Sequence, residues 1–256
     1  DRTRVKVASR IVKPGQVVEV NVGGALERSR EGDTPLIPRI VHVDDHIIVA
    51  DKPAGLVTAP TPESDRGDLL DQLAQQFGEV YLVHRLDLPT SGLLVFARTR
   101  DANKLLGDAF KTHDVDREYR AVAVGGVTAQ TIDREIEGRR AVTHVEPLET
   151  FPRITADGAL TGETHATLLR VRLETGRTHQ IRLHLAGLGH PVCGDRTHGG
   201  EVERAFLPRP PRLALHAIVL GFAHPATKER VRWEAPLADD LTAWMKRLRP
   251  RETSTP

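Results

Sequence analysis

Strand-sized apolar runs and helical stripes intermix along this chain without a regular β-α-β alternation, and that pattern narrows the fold most. It argues for an α+β domain around a mixed, mostly antiparallel central sheet with flanking helices. The longest apolar runs, Leu93 to Ala97 and Leu213 to Ala223, have the length of buried strands. None approaches the ~20 residues of a membrane helix, which excludes a transmembrane role. Further strands are expected at 40–43, 47–50, 81–83, 119–124, 141–145, 164–173 and 230–233. Helices are expected at 68–77, where Leu69, Leu70, Leu73 and Phe77 share a face, and around Ala102, Leu105, Leu106, Ala109 and Phe110. A last helix carries Leu237, Leu241, Trp244, Met245 and Leu248 on one stripe.

With 256 residues the chain has room for one large domain and a small appendage. The boundary is legible: Val12 to Val22 reads as a hairpin turning at Pro14-Gly15, and Glu27 to Thr34 shows no periodicity and reads as a linker. The segments are therefore 1–24, a linker at 25–35, a main domain at 36–250 and a tail at 251–256. The chain opens on Asp1, so a segment upstream is expected. A single cysteine, Cys193, allows neither an internal disulfide nor a cysteine-built zinc site, and a reducing cytoplasmic compartment is expected. The net charge is only +1, but 29 of the 36 basic residues are arginine. That bias suits bidentate phosphate contacts and base stacking with RNA, and equally the codon composition of a GC-rich genome.

Several chemistries fail on spacing. His179 and His184 stand five apart, and no H-E-x-x-H or Cys/His cluster accompanies them, so no metal site is expected. Gly187, Gly189 and Gly194 do not form a G-x-G-x-x-G, and no Walker sequence occurs, so no nucleotide cofactor is expected. Ser91 lies in P-T-S-G rather than G-x-S-x-G, which leaves a serine hydrolase as a weak alternative. The segment His84 to Ala97, H-R-L-D-L-P-T-S-G-L-L-V-F-A, differs in kind: it places Asp87 on a short loop between two strands. By spacing alone Asp87 serves equally as an Asx-turn residue, with Thr90 and Ser91 completing the turn.

That segment resembles the signature of the RluA-type pseudouridine synthases, H-R-L-D-x-x-T-S-G-L-L-x-x-A, and matches it at every specified position. Three further blocks agree in order: Arg117 to Gly125, with Arg117 in place of the family's usual lysine; Thr175 to Ala186, continuing from Gly189 to Asp195; and Leu213 to Ala217. Two departures stand out. Thr58-Ala59-Pro60 replaces the usual histidine and proline after Gly55-Leu56-Val57, and Thr197-His198-Gly199-Gly200 lacks the usual aromatic before its glycine.

The resemblance implies a pseudouridine synthase fold with a catalytic cleft over 36–250. It also implies that 1–24 is the end of an S-four-type RNA-binding domain. The implied reaction converts uridine in structured RNA to pseudouridine, with 23S ribosomal RNA the expected substrate and transfer RNA the alternative. The rearrangement is redox-neutral and transfers no group, so it requires no cofactor. A monomer is expected, and a catalytically inactive RNA-binding or ribosome-assembly protein on the same fold is the competing reading. In the family's terms Asp87 is the catalytic carboxylate, suited to an anomeric carbon as nucleophile or to the ribose as base. Arg182 pairs with it and keeps it charged and aimed, unless Arg182 is a solvated helix residue. Tyr119 stacks on the uracil, unless it is a core residue of its strand. Arg85 fills the gap left by the flipped nucleotide, and Leu215 lies against the base. His84, Thr90 and Arg177 complete the expected substrate contacts, and Arg170 and Arg172 lie where they would meet phosphates or merely solvent.

Overall fold

A computed structural model describes residues 36–60, 67–154, 160–204, 206 and 208–249. The expected hairpin, linker and tail lie outside the described residues. The elements in chain order are β1 (Arg39–Val43), β2 (Ile47–Lys52), α1 (Leu69–Phe77), β3 (Tyr81–Leu82), β4 (Ser91–Ala97), α2 (Arg100–Thr112), β5 (Val115–Val124) and β6 (Gln130–Asp133). They continue with β7 (Val142–Ile154), β8 (Leu160–Leu173), α3 (Gln180–Gly187), α4 (Gly200–Arg204), β9 (Leu215–Ala223), β10 (Arg230–Glu234) and α5 (Asp239–Lys246).

The strands form one sheet in the order β1-β2-β4-β9-β5-β8-β7-β6, with β3 added to β4 and β10 to β9. All pairings are antiparallel except a short parallel contact in which Ser91 meets His216 and Gly92 meets Ala217. The expected α+β class and mixed sheet are therefore those of the protein.

Why β4 reads as an unbroken apolar run follows from its surroundings: a strand covered on both faces has no polar side to alternate with. Its period of two still sorts the side chains. Leu94 and Phe96 enter a core with Ile48, Leu69, Leu73, Tyr119 and Leu215, while Leu93, Val95 and Ala97 enter a second core with Ile47, Val49, Ala102 and Leu106. α1 and α2 thus lie on opposite faces of the sheet. Each starts on a side-chain cap: Asp68 accepts from the Asp71 amide at 3.0 Å, and Thr99 from the Ala102 amide at 3.1 Å.

Two differences from expectation have physical causes. β7 does not stop near residue 145 but continues through Pro147 and Pro152 to Ile154. Proline normally ends a paired strand, and here the ladder absorbs both prolines at register shifts. β6 was not expected, because in Gln130–Asp133 only Ile132 is buried and an isolated apolar residue has no period.

Candidate active site

Asp87 sits on the loop between β3 and β4, and that loop is clamped from below by residues 52–58. Lys52 is fully buried; its ammonium donates to the carbonyls of Leu56 at 2.8 Å, Pro53 at 3.1 Å and Leu88 at 3.4 Å. Burial pulls this ammonium down to about 7, against the opposing pull of the Asp87 charge. The Gly55 amide donates to Leu88 O at 2.8 Å. The Thr58 hydroxyl donates to Leu86 O at 2.9 Å and accepts from the Leu86 amide at 3.3 Å. Thr58 is one of the departures noted above, and it fastens the Asp87 loop through its backbone. The turn itself closes through the Thr90 amide on Asp87 O at 3.0 Å.

β9 brings the distant parts together, because it pairs with β4 on one side and β5 on the other. Gly92 has φ +115°, and a Cβ there would stand 2.2 Å from Ala217 O, so only glycine lets β4 reach β9. The Ser91 hydroxyl and His216 Nδ1 are 2.8 Å apart across the same contact. Ser91 therefore meets a histidine, but as a buried cross-link between strands. Ala217 also pairs with Tyr119, and the β5–β9 register shifts between Glu118 and Tyr119, a bulge of the kind that re-aims a side chain. Tyr119 is buried, which raises its pKa; the nearby Arg117 opposes this and the Asp87 charge reinforces it. Leu215, Tyr119 and the loop residue Leu86 belong to one core cluster.

Arg182 is the hub. It is not a solvated helix residue: its side chain is 4% exposed. Nη1 lies 3.3 Å from Asp87 Oδ2, while Nε and Nη2 each donate at 2.8 Å to the two oxygens of Asp195. The Asp195 side chain is 0% exposed and also accepts from the amides of Thr197 and His198 at 3.1 Å. Burial works to raise the Asp195 pKa, but Arg182 and the two amides outweigh it and hold the carboxyl below its usual value. Asp87 is 22% exposed and has no such enclosure. One guanidinium thus serves two carboxylates, one enclosed and one facing solvent.

The helix that delivers Arg182 is buried on polar residues as well as apolar ones. Gln180 donates to Val142 O at 2.9 Å and Thr143 Oγ1 at 3.0 Å, and accepts from Thr175 Oγ1 at 2.8 Å and the Arg177 amide at 3.0 Å. His184 bonds Thr143 Oγ1 at 2.9 Å and Arg134 O at 3.0 Å. Each buried polar atom of these two side chains is satisfied, so α3 is locked to β7.

The other expected residues fall as follows. Arg85 is exposed beside Asp87 on the loop. His84 Nε2 accepts from the Val95 amide at 3.1 Å and its ring stacks on Phe110 at 4.3 Å, contacts that hold the loop to β4 and α2. Burial, helped by Arg117, pushes the His84 imidazole down to about 3. The Thr90 hydroxyl is buried without a partner among the described residues. Arg177 Nε donates to Arg140 O at 3.2 Å, and Arg117, Arg140 and Arg177 all act on the pKa of His113, which burial lowers first. Arg170 is taken up by Glu146 at 2.9 Å and Glu118 at 3.4 Å, whereas Arg172 is exposed. Lys52, Thr58 and Asp195 were missed as functional supports. Asp195 carried a signal as the end of the third motif block and Thr58 as a departure from the family's pattern, whereas Lys52 carried none.

The family profile described as RNA pseudouridylate synthase matches residues 46–187, which span the loop, Tyr119 and Arg182. The chain belongs to this family. It is 34% identical to the ribosomal large subunit pseudouridine synthase D of Pseudomonas aeruginosa, over 96% of this chain and 84% of that protein. It is 37% identical to the protein of the same name from Nitrosomonas europaea, over 92% of this chain and 72% of that one. Among solved structures, human RNA pseudouridylate synthase domain containing 1 superposes with a TM-score of 0.61 at 25% identity, over 93% of this chain and all 100% of that one. The chain is an RNA pseudouridine synthase, an isomerase. Among its described residues no helix is long and apolar enough to cross a membrane.

Proposed function

We propose that this synthase isomerises uridine to pseudouridine in the ribosomal RNA of the large subunit, in the cytoplasm and as a monomer, with Asp87 as the reacting carboxylate. The observation that carries the reading is a partly exposed Asp87 on a clamped loop, 3.3 Å from a buried Arg182 that Asp195 holds in place. The ribosomal substrate is supported by the names of the relatives. The bond from N1 of uracil to C1′ breaks, the uracil leaves as an anion and turns, and C5 bonds to C1′. The C5 proton is then lost and N1 gains one, so atoms and charge balance. Asp87 acts at the ribose, Arg182 holds the carboxylate, and Tyr119 stacks on the base with its hydroxyl at the C5 proton. Arg85 fills the gap that the flipped nucleotide leaves, Leu215 lies against the base, His84 and Thr90 shape the loop, and Arg177 contacts phosphate. The presence of Asp87, Tyr119 and Arg182, with the Asp87 charge acting on both of the others, supports an active enzyme over an inactive RNA-binding protein.

The test is tritium release from RNA labelled at C5 of uridine, with large-subunit ribosomal RNA and transfer RNA transcripts compared. Release from the ribosomal transcript alone is expected. Release only from transfer RNA would overturn the substrate, and no release from either would overturn the activity.

A further inference from the structure

Two imidazoles stand in line with the Asp87 carboxylate. His179 Nδ1 lies 2.8 Å from His198 Nε2, and the other ring nitrogen of His179, Nε2, lies 3.7 Å from Asp87 Oδ2. His179 has a left-handed backbone, φ 54°, at the start of α3, and its ring makes no capping bond to that helix. A non-glycine residue in that region is costly and is held there only by its surroundings. His198 is held in turn, since its amide donates to Asp195 Oδ1 at 3.1 Å. The charged and titratable groups around His198 are Asp195, Arg182, His179 and Asp87. Both rings therefore hang from the frame that fixes Arg182.

A hydrogen bond between the two rings needs a proton on His179 Nδ1 or on His198 Nε2. If His179 donated from Nδ1 to His198, the lone pair on its Nε2 would face a carboxylate. The opposite arrangement places an N–H there. Burial holds His198 below its usual pKa, which suits a neutral donor.

We infer that His198 is a positioning residue: by donating from Nε2 to His179 Nδ1 it fixes the tautomer in which His179 presents Nε2–H to Asp87. His179 then becomes a second donor to that carboxylate beside Arg182. The 3.7 Å separation is longer than a hydrogen bond, as catalytic contacts often are before substrate binds. The inference rests on Asp87 being the reacting group.

The experiment combines nitrogen-15 histidine spectra of the full chain with single-turnover kinetics. In the wild type His179 should carry its proton on Nε2 with Nδ1 bare. In His198→Phe, His179 should become a mixture of tautomers and the saturating rate should fall about tenfold, with the half-saturating RNA concentration unchanged within about twofold. His198→Gln, whose amide can donate to the same nitrogen, should recover most of the rate. A wild-type His179 protonated on Nδ1 overturns the inference even if the Phe variant fails to fold. So does His198→Phe turning over at the wild-type rate while Asp87→Asn is inactive. An active Asp87→Asn would instead overturn the catalytic assignment of Asp87.

Discussion

Asp195→Ala should cost this enzyme its stability before its chemistry, and Asp87→Ala the reverse, although both carboxylates touch the same guanidinium. Asp195 is wholly enclosed and takes both 2.8 Å arms of the Arg182 fork as well as two amides. Its removal leaves Arg182, 4% exposed, with a single 3.3 Å contact to Asp87. Breaking a buried pair from one side costs about 3–5 kcal/mol, because the remaining charge stays desolvated. For a chain of this size each kcal/mol moves the melting temperature by ~2–4 °C, so Asp195→Ala should melt roughly 6–20 °C lower. Asp87 is 22% exposed and its contacts are long, 3.3 Å to Arg182 and 3.7 Å to His179, so its removal should cost within about 1 kcal/mol. Asp87→Asn should likewise melt as the wild type does while turnover is abolished. Thermal unfolding in parallel with single-turnover tritium release measures both. Asp195→Asn, which keeps volume and one acceptor, covers the case in which the alanine variant does not fold, and it should lie between the two. Melting temperatures of Asp195→Ala and Asp87→Ala that agree within ~2 °C would refute the division of labour.

Tyr119→Phe should leave RNA binding nearly unchanged and slow the reaction after the glycosidic bond has broken, since the ring still stacks and only the hydroxyl is lost; equal rates in rapid-quench assays would return Tyr119 to packing. Arg85→Ala should slow turnover on structured RNA far more than on a short unpaired oligonucleotide, where the uridine is already unstacked; an equal loss on both would leave Arg85 an ordinary phosphate ligand. Away from the site, burial works against the Asp44 carboxylate, but His42, two amides and His224 outweigh it and lower its pKa from 3.8 to about 2. A depressed carboxylate contributes stability above its unfolded pKa and loses it as pH falls toward the folded value. Asp44→Asn should therefore cost roughly 1–2 kcal/mol at neutral pH and only a few tenths of a kcal/mol near pH 2, where the folded carboxyl is half protonated, measured by urea unfolding across that range; a penalty constant with pH would show that the charge does not matter.

The unbroken apolar runs of β4 and β9 and the helical stripes of α1 and α2 were legible in the sequence because burial is a local property, repeated along one element. The loop from His84 to Ser91 was legible for a different reason: its Pro and Gly bound it, and its residues match a long motif. The competing readings of Asp87, Arg182 and Tyr119 could not be decided there. α3 shows why. Gln180, Arg182 and His184 carry the polarity of a solvated helix face, and nothing local distinguishes that from polar groups each satisfied by β7 or by Asp195. Lys52 ends β2 and sits fully buried beneath the Asp87 loop, 36 residues from the Leu88 carbonyl it helps to hold. Tyr119 faces the site through a register shift on β9, about a hundred residues further along the chain. Periodicity records which side of an element is covered, but not by what. The partner of a buried charge is chosen by strand order and register, and these exist only once the sheet has closed around β9.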